Sequence, residues 1–525
     1  MMKEILWRSD KGDGRFTNPI LFADYSDPDV IRVGETFYMT ASSFNYTPGL
    51  PILLSKDLVN WQLKHYALKN ISEDRFDIPA HSQGVWAPAL RYHDNLFWIF
   101  YGMPDEGIYM VHAKDPLGPW SEPFLLLAGK GLIDPCPFWD DDGKAYVIHG
   151  YAKSRIGFNS VIGMFEMSPN GREVLTDDRF IYDGIVTQPT IEGPKVYKRK
   201  GYYYIFAPAG GVTNGWQMVL RSKSLRGPYE EKMVMAQRDT EINGPHQGAL
   251  VDTLEGEEWF VHFQDKGAYG RIIHLQPVVW TRDDWPVIGV DPDENACGKP
   301  MIEGSKPQGL SGGEVTYLQA SDNFEATALG LQWQWLGNHT EDFYSLRKDT
   351  MSLRLYSLNP SGDLTPTLWR SANVLTQKII CPTFDAFVKI RFDALGDHEQ
   401  AGIVIMGDQY AYLCVRKDAL GTSLIYAEST SCDQSRIEHI LHRQELSKEI
   451  SDVTLKLCLK QSAQAIEVTM SMLDGNNKET LISPGFHPSD STWVGAKIGL
   501  FALALDNEKD HGFVEIDYFE VRSKG

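Results

Sequence analysis

DPDVIRVGETFYMTAS, residues 27–42, reads as two short strands joined by a tight turn at Gly34, and the pattern returns four times further along the chain. PALRYHDNLFWIFYG (88–102), DPCPFWDDDGKAYVIHG (134–150), GPKVYKRKGYYYIFAPAG (193–210) and HQGALVDTLEGEEWFVHFQ (246–264) each run strand, turn, aromatic-rich strand, with turns at Asp94, Gly143, Gly201 and Gly256. A second hairpin follows each one. In four repeats its loop closes on an aromatic: SKDLVNW (55–61), AKDPLGPW (113–120), SKSLRGPY (222–229) and TRDDW (281–285). Two hairpins make a four-stranded unit, and five units of roughly 50–60 residues fit a propeller, whose blades surround a central channel.

The repeats stop near residue 290. GKPMIEGSKPQGLSGGE (298–314) is rich in Gly, Pro, Ser and Lys without apolar periodicity, as a linker is. Beyond it Val388, Ile390 and Phe392 alternate with Lys389 and Arg391, and Val514, Ile516 and Tyr518 alternate with Glu515 and Asp517. A period of two predicts half-buried antiparallel strands, and about ten such runs suggest two packed sheets in a jelly-roll or lectin-like sandwich. The expectation is an all-β chain: a five-bladed β-propeller over 1–305, a linker over 306–318 and a β-sandwich over 319–525.

Composition narrows the partners. Against 50 basic side chains stand 70 acidic ones, a net charge of −20 that repels nucleic acid and anionic membranes alike. No apolar run approaches the roughly 18–20 residues that span a bilayer, and residues 1–16 carry charges where a signal peptide needs its apolar segment. A cytoplasmic chain is expected, and assembly into a homo-oligomer is left open. Cys136, Cys297, Cys381, Cys414, Cys432 and Cys458 form no CxxC pair, so mostly buried free thiols are expected.

In a propeller the innermost strands line the channel, so equivalent ends of those strands gather in space. Asp27, Trp86, Asp134, Glu192 and His246 each precede the turn of their own inner hairpin. Three carboxylates, an indole and an imidazole are expected around one mouth, although spacing alone does not choose among Asp24, Asp27 and Asp29. Carboxylates confined together hold different protonation states, which is what cleavage of a glycosidic bond requires. Trp86 and Phe44 offer flat faces to a sugar ring. Asp94 and Asp140 to Asp142 read as solvated turn residues, while Phe97, Trp98 and Tyr202 to Tyr204 read as blade packing. No second histidine stands at ligand spacing, so no metal site is assigned and no cofactor is required; a calcium or water site beside His246 stays open.

These segments resemble glycoside hydrolase family 43, whose members have a five-bladed propeller and include β-xylosidases, α-L-arabinofuranosidases and arabinanases. The resemblance runs through NPILFADYSDPDVIRVGETFYMTASSFNYTPGLPILLSKDLVNW (18–61), GVWAPALRYHDNLFWIFYG (84–102), LIDPCPFWDDDGKAYVIHG (132–150), IEGPKVYKRKGYYYIF (191–206) and GRIIHLQPVVWTRDDWPVIG (270–289). It implies an inverting hydrolase with Asp27 as general base, Glu192 as general acid and Asp134 as the carboxylate that raises and orients that acid. It further implies Phe44 and Trp86 as sugar-contacting aromatics, Arg271 as a hydroxyl-binding channel arginine and His246 as the channel histidine. Cys136 and Ile191 depart from the Ser or Thr common in relatives. SDNFEATALGLQWQWLGNHTEDFYSLR (321–347) resembles the start of the concanavalin-like sandwich that can lend a loop to the active-site rim. The expected function is exo-acting release of terminal β-D-xylose, α-L-arabinofuranose or both from short hemicellulose-derived oligosaccharides. An endo-arabinanase and a non-catalytic carbohydrate-binding propeller are the alternatives.

Overall fold

The computed structural model describes residues 5–310, 315–359, 366–430, 436–461, 466–506 and 511–524. Cys432 and residues 311–314 of the expected linker lie outside them. Five four-stranded antiparallel sheets come first. Blade 1 is Asp29–Val33, Thr36–Thr40, Gly49–Ser55 and Trp61–Leu68; blade 2 runs from Trp86–His93 to Phe124–Ala128 and blade 3 from Leu132–Trp139 to Arg179–Asp183. Blade 4 runs from Lys195–Arg199 to Glu230–Ala236 and blade 5 from His246–Asp252 to Pro286–Ile288.

Alternation along the second strand of each blade fills the spaces between blades. Phe97 packs with Ile52 and Leu90 towards blade 1, whereas the next residue, Trp98, packs with Val147 and Phe165 towards blade 3. Burying each such side chain contributes about 1.5–3 kcal/mol.

Every blade is built of consecutive strands, so no strand from the far end of the chain completes one. Closure falls to side chains and to the N-terminal segment. Asp29 of blade 1 accepts from Leu90 N–H and Arg91 of blade 2 (2.6 and 2.7 Å), and Nη2 of Arg91 lies 3.0 Å from Sγ of Cys136 in blade 3. Cys136 in turn accepts the N–H of Val196 in blade 4, and the Tyr197 hydroxyl accepts that of Leu250 in blade 5. Arg32 of blade 1 meets Asp252 of blade 5, completing a belt around the channel. Outside this belt, Leu21 and Ile273 exchange backbone hydrogen bonds, and Asn18 bonds Leu275 N–H and C=O.

One expected solvated turn residue belongs to these ties instead. Asp140 holds Lys198 and Tyr203 of blade 4, because the turn of one blade overhangs the inner strands of the next.

Fourteen strands form the sandwich, in two seven-stranded antiparallel sheets. Several flanking strands have only two to four residues, such as Gln334–Trp335 and Glu479–Leu481, too few to show a period. The expected alternation over 514–518 breaks at a bulge: Lys389 pairs with Tyr518 but Ile390 with Ile516, leaving Asp517 as the extra residue. The phase therefore inverts, so Phe519 is buried in place of Tyr518.

The sandwich is fused to blade 1 and the N-terminal segment. Thr47 and Trp335 exchange backbone hydrogen bonds, and one apolar cluster joins Phe22 and Tyr25 to Phe324, Trp333 and Trp335. Another joins Phe44 and Tyr46 to Leu336, Tyr410, Tyr412 and Phe501. At the start of the expected linker the ammonium of Lys306 is held by Asp10 and Asp57 (2.9 and 2.6 Å).

Candidate active site

Each inner strand enters the channel through one residue with positive φ: Asp27 (56°), Ala87 (29°), Asp134 (56°), Gly193 (60°) and Gln247 (28°). In four blades a proline follows it, at positions 28, 88, 135 and 194, and in the fifth a glycine, Gly248. A left-handed conformation costs a non-glycine residue on the order of 1–3 kcal/mol and is kept where surrounding structure enforces it. The pairing register slips at the same place in blades 2, 3 and 5, between Trp86 and Ala89, Ile133 and Cys136, and His246 and Gly248. This kink turns the side chains at the strand entrance towards one another.

A cavity of about 70 Å³ lies at that mouth, lined by Asp27, Phe44, Trp86, Ala87, Ile133, Asp134, Glu192, Gln247, Arg271 and Trp493. Six of the seven residues expected at the site are therefore brought to one surface. Two of the carboxylates, Asp27 and Asp134, occupy the left-handed position, whereas Glu192 comes one residue before it, as do Trp86 and His246. His246 is the seventh. It is fully buried and stands behind Glu192, with Nε2 3.1 Å from Glu192 Oε1.

Asp27 is held on two sides. Nη1 of Arg271 donates to Oδ1 (2.9 Å) and the Ser42 hydroxyl to Oδ2 (2.6 Å), while Ser42 itself accepts the N–H of Ala87. The arginine lies between two aromatic rings, its guanidinium carbon 4.6 Å from the centroid of Phe263 and 5.2 Å from that of Trp493. Nε of Arg271 and Nε2 of Gln247 make no hydrogen bond among the described residues.

Asp134 makes no ion pair among the described residues, and the Lys195 charge is the weakest influence on it. Its Oδ2 accepts the N–H of Gly193, the residue after Glu192, at 2.8 Å, which ties it to the backbone that carries Glu192. Burial, followed by the charges of Glu192 and Asp27, pushes the Asp134 carboxyl up to about 8. Asp134 thus keeps its proton through neutral pH, bonded to the backbone beside Glu192. Gly150 lies beneath the pair: a Cβ there would stand 3.6 Å from Asp134 Oδ2 and 3.8 Å from the Glu192 Cα.

The aromatic wall is fixed from behind. Trp86 donates its indole N–H to Ser82 O (2.9 Å), its ring centroid is 6.5 Å from that of Phe44, and the Arg155 guanidinium lies 5.6 Å from it. Arg155 is itself held by Asp105 through two nitrogens.

Five lining or supporting residues, Ser42, Ala87, Ile133, Gln247 and Trp493, are not marked by the sequence pattern. Ser42 closes the opening stretch and Gln247 adjoins His246, so proximity could have flagged both. Ile133 precedes Asp134 in the same way. Trp493 lies in the sandwich, more than 200 residues from any other lining residue, and nothing local marks it.

Around His246 the protein offers one carboxylate, Glu192. Among the described residues no group of three or more His, Cys, Asp or Glu side chains is arranged to hold a metal ion. A calcium ion there would draw most of its about six to eight oxygens from water and backbone carbonyls. A hollow of about 900 Å³ between blades 1 and 2 and the sandwich has Glu122 as its one lining carboxylate and so lacks an acid–base pair.

Comparison with known proteins agrees with this two-domain fold. The family model for glycosyl hydrolases family 43 matches residues 16–286, and that for the beta-xylosidase C-terminal concanavalin A-like domain matches residues 321–522. The beta-xylosidase of Formosa agariphila is 32% identical over 560 residues, covering 97% of this chain and 90% of its own. A non-reducing end alpha-L-arabinofuranosidase of Bacteroides ovatus is 31% identical over 412 residues, covering 75% and 74%. The crystal structure of xylan beta-1,4-xylosidase from Bacillus halodurans superposes with a TM-score of 0.82 at 25% identity, covering 97% of this chain and 100% of that one.

Proposed function

The chain belongs to glycosyl hydrolases family 43, and from that premise we propose that it releases terminal β-D-xylose, α-L-arabinofuranose or both from short hemicellulose-derived oligosaccharides, by exo attack with inversion. The observation that carries this reading is the division among the three carboxylates: Asp27 is paired with Arg271, while Asp134, pushed up by burial and by the charges of Glu192 and Asp27, is bonded to the backbone that carries Glu192.

In this mechanism the terminal sugar sits against Phe44 and Trp86. Asp27, the general base, takes a proton from a water that attacks the anomeric carbon, and Glu192, the general acid, gives one to the departing glycosidic oxygen. Charge develops on the ring as the bond breaks, and ionised Asp27 faces it. Asp134 keeps the proton on the acid side of the pocket and fixes the backbone beside Glu192. His246 orients the Glu192 carboxyl from behind. Arg271 Nε and Gln247 Nε2 are donors left over for sugar hydroxyls.

The exo mode is supported by the walls: Phe44 and Trp86 on one side and Trp493 on another leave a small pocket rather than an open cleft. A cytoplasmic enzyme acting on imported oligosaccharides is supported by the cysteines, since all five described ones are free thiols.

The test is hydrolysis of p-nitrophenyl β-D-xyloside and α-L-arabinofuranoside by wild type, Asp27→Ala and Glu192→Ala, with the anomer of the first product read by NMR. The reading expects cleavage of at least one glycoside by wild type, inverted product, and loss of activity in Asp27→Ala. Retained configuration, or full activity in Glu192→Ala, overturns it.

A further inference from the structure

Asp24 precedes the general base by three residues and takes no part in the chemistry above, yet it is buried where three segments of chain meet. Its Oδ1 accepts the N–H of Arg271 in blade 5 (3.0 Å), and its Oδ2 accepts the N–H of Gly495 in the sandwich (3.0 Å). The Ser26 hydroxyl lies 3.1 Å from Asp24 Oδ1 and 3.3 Å from the carbonyl oxygen of Trp493. Resting on the pocket reading given above, we infer that Asp24, with Ser26, is a positioning residue that clamps the sandwich turn carrying Trp493 against the sugar pocket.

The turn needs a clamp. Ser491 and Val494 exchange backbone hydrogen bonds across four residues, and Trp493 within them has φ of 71°, a left-handed conformation that a residue with a side chain adopts only when held there. The strained indole is 42% exposed, so its own packing does not fix it. What does fix it is backbone contact. Gly495 and Gly270 approach so closely that a Cβ on Gly495 would stand 2.5 Å from the Gly270 nitrogen, and Ala496 N–H bonds the Ala268 carbonyl. Arg271 needs Asp24 less, because its strand is paired from Asp265 onward and its carbonyl already accepts from Tyr25. The turn is the freer partner, and it gains most from the carboxylate.

The charge of Asp24 is matched in the interface by Lys378 and Lys497, both on strands of the sandwich. Their terminal nitrogens lie over tyrosines of the other domain, Lys378 4.9 Å from the Tyr25 ring centroid and Lys497 4.3 Å from that of Tyr46, and burial lowers both, Lys497 well below its ordinary value. Asp24 thus serves as counter-charge and as hydrogen-bond acceptor for both sides of the joint.

The experiment compares Asp24→Asn and Ser26→Ala in wild type and in Trp493→Ala, with KM and kcat measured on p-nitrophenyl β-D-xyloside. Asp24→Asn is expected to raise KM roughly 10-fold and Ser26→Ala about 3-fold, with kcat held within about 3-fold, as the loss of a charged and a neutral hydrogen bond implies. In Trp493→Ala the same changes should add no more than about 2-fold, because the group they position is gone. Equal effects in both backgrounds overturn the inference. Should Asp24→Asn fail to fold, Ser26→Ala carries the test alone. Amide hydrogen exchange over 491–496, expected to rise in both variants, decides the clamp independently of activity. If wild type cleaves neither glycoside the proposed function falls, while unchanged exchange in folded variants overturns the clamp itself.

Discussion

Nη1 of Arg271 lies 2.9 Å from Oδ1 of Asp27, and the two side chains are only 6% and 7% exposed. A buried pair of this kind adds little net stability, but removing one partner strands the other charge at a cost of about 3–5 kcal/mol. Arg271→Met is therefore expected to lower both kcat/KM and stability. Adding Asp27→Asn should restore the stability, measured by urea denaturation, but none of the activity. A double variant no more stable than Arg271→Met would show that the pair is not what Arg271 contributes.

Asp134 gives a pH dependence whose sign is fixed. Between the ordinary carboxylate range and about pH 8 the folded protein keeps a proton that the unfolded chain has released. Stability from this group therefore falls as pH rises through that window and is lowest above it. Asp134→Asn removes the buried charge, so it should be more stable than wild type by about 2 kcal/mol at pH 9 and nearly equal to it at pH 4. Its activity should fall sharply. In wild type, kcat/KM should decline above about pH 8, when Asp134 loses its proton.

Glu192 separates by leaving group. Without a proton donor, Glu192→Gln should lose about 10³-fold on xylobiose but less than about 10-fold on a dinitrophenyl xyloside, whose leaving group departs unassisted. Asp27→Asn should lose activity equally on both, since water still has to be activated. Equal losses for Glu192→Gln on the two substrates would remove it from the acid role.

The belt around the channel predicts where the ring opens. Arg91→Ala removes the guanidinium from Asp29 and Cys136 together, leaving the Leu90 N–H on a buried, unpaired Asp29, and should cost about 3–5 kcal/mol. Cys136→Ser, which keeps an acceptor for Arg91 and Val196, should stay within about 1 kcal/mol of wild type. Both are read from denaturation midpoints.

Much of this was legible in the chain because local rules and repetition agree. The turns at Gly34, Asp94, Gly143, Gly201 and Gly256 mark the inner hairpins, and the carboxylates ahead of them reach one mouth because blade symmetry brings them there. Asp24, Asp27 and Asp29 were not separable by spacing, and the structure separates them by partner: a joint between domains, an arginine in the pocket and the belt of the ring. Arg271 sits on the third strand of its blade, outside the repeat that was read, and rested on resemblance alone. Trp493 is placed by a contact between domains, which no local pattern encodes. Tyr518 was set on the wrong face because one inserted residue shifts every later side chain by half a period.

The five left-handed strand entrances have a practical meaning. Blades 1 and 3 use that position for acids, whereas blades 2 and 5 present Ala87 and Gln247 there, on a backbone already bent towards the sugar. These two are ready-made addresses for redesign. Both line the pocket, so substitutions there are expected to change how the sugar is held while the three carboxylates stay as they are.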